Sequence, residues 1–501
     1  MAIRQRIKEW VKKRPRIYRF ASWAKRRKGR LTFLFVFTSH VVGALTSVNA
    51  IMQTRTSQGA VAWVVSLNTL PYVAVPAYWV FGQSDFNGYV TARRNHEKEL
   101  EAFWEAFARK LKEQDLIYDP GRTDPFVTEE LAMLPATQGN QAELLIDGEE
   151  TYQSIFEGIA RAEDYVLVQF YIIQDDSVGR ELRDLLVERA GKGVRCLLLY
   201  DEIGSRLSPE FFAPLTKAGV EVSKFNTTKG DANRFQINFR NHRKIVIVDG
   251  KEAWVGGLNV GEEYKGLDPK IGYWRDTHMR MKGPVVQCVQ VAFSEDWHWA
   301  SKKELEGLNW NPRRAADGPG MGMLCLPSGP VDPLETCTLF FLHAINSAKE
   351  RLWIASPYFV PDEQFISALQ LAALRGVDVR IIIPDKADNP LVQLSAWSYM
   401  EELEKVDIKV YRYTKGFMHH KVMVVDDLYS TVGTANFDNR SFRLNFEITV
   451  GVADEEFTSK VAAMLEEDMA NSRLTKKGEL NERSFFYRLG VRAARLTAPV
   501  Q

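Results

Sequence analysis

Cysteine is scarce in this chain, with four among 501 residues (Cys196, Cys288, Cys325 and Cys337) and no CxxC spacing. That excludes a disulfide framework and argues against thiolate metal ligation; the simplest setting is a reducing compartment. Charge of one sign is lacking too, since the formal net charge is +1. The balance conceals a segregation. Residues 1–30 hold thirteen Lys/Arg against the single acid Glu9, a balance of +12, so the remainder must carry −11. A body of that sign is not a nucleic-acid binder's, so no nucleic-acid partner is expected. Two stretches lack charge altogether, 31–53 and 56–84, with only Arg55 charged near the turn between them.

Each uncharged stretch exceeds the roughly 20 residues that cross a bilayer, and a cleaved signal peptide fits poorly with the polar, basic segment that precedes the first. Arg93, Arg94 and Lys98 follow the second. Basic residues on both flanks predict a two-helix transmembrane hairpin with both flanks and the large body cytoplasmic. The basic tail would attract anionic membrane lipids. Tyr72, Tyr78, Trp79 and Phe81 stand where interfacial aromatics belong.

What is present beyond residue 140 is a repeat. IARAEDYVLVQFYII and ELRDLLVERAGKGVRCLLLYD are echoed by INSAKERLWIASPYFVP and ISALQLAALRGVDVRIIIPD about 180 residues later. Apolar strands alternating with helices predict an α/β fold with a largely parallel sheet covered on both faces. The expected organisation is a basic cytoplasmic tail (1–30), the hairpin (31–84), a connecting helical segment (85–140), repeat 1 (141–308), a linker (309–324), repeat 2 (325–475) and a basic amphipathic tail (476–501). In that tail RSFFYRLGVRAARL sets Arg488, Arg492 and Arg495 beside Phe485, Phe486 and Leu489. It reads as an interfacial helix or, alternatively, as a solvated terminal one.

The echo sharpens at NHRKIVIVDGKEAWVGGLN and HHKVMVVDDLYSTVGTAN. His242, Lys244, Asp249, Gly256 and Asn259 recur as His419, Lys421, Asp426, Gly433 and Asn436, all at an offset of 177. His420 therefore takes the place of Arg243. Strand alternation puts each His and its Lys on one side and Arg243 or His420 on the other. Two His, two Lys and two Asn brought together by a pseudo-twofold can bind a phosphate, attack it with one imidazole and protonate the leaving oxygen with the other. The attacking ring needs its other nitrogen anchored by a carboxylate. Asp276 and Glu447, in similar downstream contexts, are the candidates. Asp249 and Asp426 belong to the duplicated motif, and their turn positions suggest a structural part.

HxKxxxxD followed by GxxN, twice, resembles the phospholipase D superfamily. Within it LPYVAVPAYWVFG, YWRDTHMRMKGPVV and GTANFDNRSFRLNFEITV resemble bacterial cardiolipin synthases. The resemblance implies two pseudo-symmetric phospholipase D-like repeats with a central mixed sheet. It implies joining of two phosphatidylglycerols into cardiolipin with release of glycerol, through a phosphatidyl-histidine. The implied catalytic set is His242, Lys244, Asp249, His419, Lys421 and Asp426, with His242 as nucleophile, Asn259 and Asn436 on the phosphate, Asp276 and Glu447 orienting the histidines, and no metal or cofactor. Tyr171 and Tyr358, which end the first strand of each half, are candidates to line a lipid cleft or the core. The family commonly has Ser at the second position of GxxN; here it is Gly257 in one half and Thr434 in the other, which unbalances the two sites. A hydrolase using water, a transferase using another alcohol, a nuclease and an inert membrane scaffold are the rival readings. Oligomeric state is open.

Overall fold

The computed structural model describes residues 27–82, 105–119, 129–225, 238–315 and 318–501. The basic tail (except residues 27–30), the flanking Arg93, Arg94 and Lys98, and most of the connecting segment lie outside the described residues, although a helix is present at 105–113. The chain divides into two compact units, Met1–Ser84 and Asp85–Gln501.

In the first unit the helix Lys28–Gln53 forms from the uncharged run as expected. Gly29–Gln53 is the one described helix long and apolar enough to cross a membrane by length and composition. The second run is not one helix. It breaks into Ser57–Thr69 and Pro71–Phe81, with Leu70 at φ −133° and ψ 54°. A residue preceding proline is disfavoured in the α region, which is why the break falls there. Polar side chains inside the runs pair across them. Asn68 Nδ2 donates to Ser47 Oγ at 2.8 Å and the Tyr78 hydroxyl to Asn49 Oδ1 at 2.7 Å.

The second unit is built on one sheet of sixteen strands. From its middle, repeat 1 runs outward through Thr137–Ile146, Thr277–Lys282, Glu252–Gly256, Ile245–Val248, Tyr165–Phe170, Arg195–Asp201 and Glu221–Phe225. Repeat 2 runs outward the other way in the corresponding order: Met321–Ser328, Asn445–Ala453, Tyr429–Gly433, Val422–Val425, Arg351–Ala355, Asp378–Pro384 and Lys409–Tyr413, with Ser472–Leu474 added at the edge. The halves join where Thr137–Ile146 pairs antiparallel with Met321–Ser328, so the strands at the join begin before residue 141 and inside the span 309–324. Along this order only Tyr165–Phe170, Arg195–Asp201 and Glu221–Phe225, and likewise Arg351–Ala355, Asp378–Pro384 and Lys409–Tyr413, run parallel to one another; the other neighbours along it are antiparallel. The largely parallel expectation fails because a strand buried on both faces is apolar throughout whichever way its neighbour runs.

Ile245–Val248 shows the burial directly. Ile245 and Ile247 pack into one apolar cluster, while Val246 and Val248 face a second across the sheet. This doubly covered strand is the rigid mount for what precedes it.

Candidate active site

His242, Arg243 and Lys244 lie between the short strand Arg240–Asn241 and Ile245–Val248; His419, His420 and Lys421 lie likewise between Phe417–Met418 and Val422–Val425. Both motifs thus sit just ahead of the buried strand rather than inside it. The short leading strands are what cross the repeats. Arg240–Asn241 pairs parallel with Asn445 and Phe446, and His242 N–H donates to Phe446 O at 2.9 Å. Phe417–Met418 pairs parallel with Trp274–Arg275, and His419 N–H donates to Arg275 O at 2.7 Å.

That exchange delivers each histidine to an acid of the other half. His242 Nδ1 is 2.9 Å from Glu447 Oε2 and His419 Nδ1 is 2.7 Å from Asp276 Oδ2. An ionised carboxylate only accepts, so Nδ1 carries the proton and Nε2 keeps its lone pair. All four groups are buried. Burial holds both imidazoles neutral, against the pull of their carboxylates, with His242 lowered to about 4 and His419 to about 3; Lys244 and Lys421 respectively add to the depression. Burial opposes ionisation of Asp276, yet His419 and Lys421 outweigh it and lower that carboxyl to about 2. Glu447 is lowered as well, with burial outweighed by His242, Lys244 and the Thr434 hydroxyl.

The lysines complete each motif. Lys244 Nζ donates to His242 O at 2.6 Å and Lys421 Nζ to His419 O at 2.7 Å. Burial depresses both, Lys421 to about 8. Arg243 and His420 point away. Arg243 pairs with Asp296 at 3.0 Å, and His420 Nε2 lies 3.0 Å from Asp468, which also holds Arg275 at 2.8 Å.

Asp249 and Asp426, expected in the catalytic set, each bind backbone N–H groups. Asp249 accepts backbone N–H bonds from Glu163, Asp164 and Tyr165, and Asp426 from Lys349, Glu350 and Arg351. Both have positive φ, 54° and 51°. Their carboxylates fasten the turn after each mounting strand to the start of the neighbouring strand.

Asn259 is partly committed, because Oδ1 accepts from Ile172 N–H at 3.1 Å and Nδ2 donates to the Tyr264 hydroxyl at 2.7 Å. One amide hydrogen of Asn259 remains for a ligand. Asn436 is buried and its Oδ1 has no hydrogen-bond partner among the described residues. Tyr171 stands edge-on to His242, ring centroids 5.1 Å apart, with Lys244 Nζ 5.6 Å from its centroid. Tyr358 instead donates its hydroxyl to Asp388 at 2.7 Å.

Several supporting groups were missed in the sequence. Trp274 and Phe417 pack beside His419, at 5.1 and 5.8 Å between centroids. Thr434 Oγ1 donates to Glu447 Oε2 at 2.6 Å and Asn445 Nδ2 to Oε1 at 3.0 Å. On the other side Gly257 abuts Asp276, and a Cβ there would lie 2.0 Å from Oδ1. The second GxxN position therefore faces the histidine's acid partner in both halves, as a hydroxyl donor in one and as a glycine with no room for a side chain in the other.

The sequence model of the family described as "Cardiolipin synthase, PLD-like domain" matches residues 155–297 and 341–469, which are the two crossed repeats. The chain belongs to the cardiolipin synthase family. It is 44% identical over 476 residues to cardiolipin synthase A of Pseudomonas fluorescens (strain SBW25), covering 93% of this chain and 98% of that one. It is likewise 44% identical over 474 residues to cardiolipin synthase A of Pseudomonas syringae pv. syringae (strain B728a), covering 92% and 96%. Among solved structures, phosphatidylserine synthase from Haemophilus influenzae Rd KW20 shares the fold, with a TM-score of 0.53 at 14% identity over 72% of this chain and 95% of that one. The cardiolipin synthase family thus supplies the frame in which both His–acid pairs are read.

Proposed function

We propose that this chain is a phosphatidyltransferase that joins two phosphatidylglycerols into cardiolipin and releases glycerol, with His242 as the covalent nucleophile. The observation that carries the reading is the pair of neutral imidazoles, each with Nδ1 tied to a buried carboxylate and Nε2 left for chemistry. His242 Nε2 attacks phosphorus as the P–O bond to the headgroup glycerol breaks, and His419 protonates the departing oxygen. His419 then takes the proton from the hydroxyl of the second phosphatidylglycerol, whose oxygen displaces His242. A phosphodiester anion seated against Lys244, Lys421, Asn259 and Asn436 puts negative charge beside His419 and favours its imidazolium, so proton loading follows substrate binding. The lysine ammonium groups stabilise the charge that builds on the phosphoryl oxygens.

The substrates are membrane lipids, and the uncharged runs hold the protein in the bilayer as a two-span hairpin with the catalytic unit on the cytoplasmic side. Inter-helix bonds from Asn68 and Tyr78 support this reading, because polar groups in hydrocarbon need internal partners. The second span, though kinked at Leu70–Pro71, is about 36 Å long at 1.5 Å per residue, enough for a bilayer core.

Purified full-length protein is given labelled phosphatidylglycerol in vesicles and the products are resolved. Cardiolipin with equimolar glycerol is expected; phosphatidic acid alone would make the protein a hydrolase. Acid-labile label retained on the His419→Ala variant, and absent from His242→Ala, identifies the nucleophile; the opposite pattern exchanges the two roles.

A further inference from the structure

Residues 476–501 carry six Lys/Arg against two acids, a balance of +4 beside a body that is otherwise acidic. Within them the helix Phe485–Arg495 is capped by Ser484, whose hydroxyl accepts from Tyr487 N–H at 3.3 Å. Its inner face is settled. Val491 and Ala494 are buried, Arg495 donates to Glu402 at 2.6 Å and stacks over Tyr399, and Arg492 pairs with Glu401. Those partners belong to the helix Pro390–Glu404 and hold the C-terminal helix in one orientation.

That orientation turns large apolar side chains outward. Phe485 is 64% exposed, Phe486 81%, Leu489 53% and Leu496 82%. At 100° per residue, Phe485, Leu489 and Leu496 fall within a stripe of about 40°, Phe486 flanks it, and Arg488 and Arg492 border its other edge. Single exposed leucines are ordinary on soluble proteins, but three bulky groups on one side of a helix with a fourth at its C-cap are not. The helix has already used its opposite face for packing, so the stripe is left for something outside the chain's own core.

We propose that the outer stripe of Phe485–Arg495 is a membrane-contact surface that seats its apolar side chains among the acyl chains of an anionic bilayer, with Arg488 at the phosphate level. The chemistry fits that occupant. Arg488, at the border of the apolar stripe, can reach up to phosphates while its stem covers hydrocarbon. The chain beyond the stripe also reaches back toward the candidate active site. Past Leu496 the chain returns inward, where Ala498 O accepts from Asn439 Nδ2 at 3.2 Å and Gln501 O from Arg440 N–H at 2.7 Å. Asn439 and Arg440 follow Asn436 by three and four residues. The C-terminal end of the stripe is thus tied by hydrogen bonds to the segment that follows Asn436, one of the proposed phosphate ligands.

The test uses the full chain. Its four cysteines are all buried, so Phe486→Cys provides an accessible thiol for an environment-sensitive fluorophore. The labelled protein is reconstituted into phosphatidylethanolamine/phosphatidylglycerol vesicles, with and without acyl-chain-brominated phosphatidylglycerol. A blue-shifted emission quenched by the bromolipid is expected, and adding Phe485→Ser, Leu489→Ser and Leu496→Ser should reverse both. Water-like, unquenched emission would overturn the proposal. So would a blue shift that bromolipid leaves unquenched, which would mean that a second copy of the chain covers the stripe. The fluorescence is independent of turnover, so it stands or falls separately from the transferase reading.

Discussion

Glu447 reaches His242 across 205 residues of chain, its Oε2 2.9 Å from Nδ1, and Asp276 reaches His419 in the opposite sense at 2.7 Å. Neither His-Lys motif has its orienting acid in its own repeat. The crossed pairs make the two halves one chemical unit. Glu447→Gln and Asp276→Asn should each cut turnover on the order of 10²–10⁴-fold, because an amide fixes the wrong tautomer while preserving shape. Both variants should fold, which a melt measured beside labelled phosphatidylglycerol turnover checks. Near wild-type turnover in either would dismiss that acid as a positioning group.

His420 separates position in the sequence from role. It is buried, hydrogen-bonded to Asp468 and faces away from His419. His420→Ala should lower stability by about 1–3 kcal/mol, the usual cost of leaving a buried partner unpaired. Turnover per folded molecule should remain close to wild type, whereas His419→Ala should abolish it. Loss of turnover in a fully folded His420→Ala protein would refute the alignment of the two motifs.

Much of this was legible in the sequence for a physical reason. Five identities at one offset expose a duplication, and a pseudo-twofold must bring duplicated groups together. Arg240–Asn241 and Phe417–Met418, which carry out the crossing, are two-residue strands and have no period to read. Hence Asp276 and Glu447 could be named as orienting acids but not matched to their histidines. Asp249 and Asp426 were ambiguous because the same carboxylate can anchor a turn or move a proton, and only the backbone N–H groups around it distinguish the two. The break in the second apolar run was written in Leu70–Pro71, yet composition alone passes over it.

The Asp249 and Asp426 anchors give a contrasting pair of variants. Asn tolerates the positive φ that each position requires, whereas Ala does not and also abandons three backbone donors. Asp249→Asn and Asp426→Asn should each cost about 1 kcal/mol, and the alanine variants about 2–4 kcal/mol. Denaturant unfolding measures the loss. Turnover of the folded fraction should be unchanged, and a drop matching that of His242→Ala would place these acids in the catalytic set.

Gly257 should be intolerant of serine. A serine there places Cβ against Asp276 Oδ1 and must push the carboxylate off His419, so Gly257→Ser should lose on the order of 10²-fold in turnover. Thr434→Ser keeps the hydroxyl that holds Glu447 and should stay active, while Thr434→Val should fall about tenfold or more. Equal activity of the serine and valine variants would remove the hydroxyl from the account.

Acid should destabilise the protein through the same histidines. Their folded pKa values, about 4 for His242 and about 3 for His419, lie below the ordinary 6.5, so between those limits the unfolded chain binds protons that the folded chain refuses. Stability from this source is therefore complete above pH 6.5 and falls as pH drops through the window, by up to about 1.4 kcal/mol per pH unit for each histidine. Asp276, lowered to about 2, adds a loss of the same sign below its ordinary 3.8. Denaturant titrations at pH 7, 5 and 4 should show the decline, and His242→Gln with His419→Gln should flatten it. At the alkaline end Lys421, lowered to about 8 by burial, loses its charge early. kcat/KM for phosphatidylglycerol should then fall above pH 8 as the site loses a cation for the phosphate. A profile flat to pH 10 would show that substrate binding does not draw on that charge.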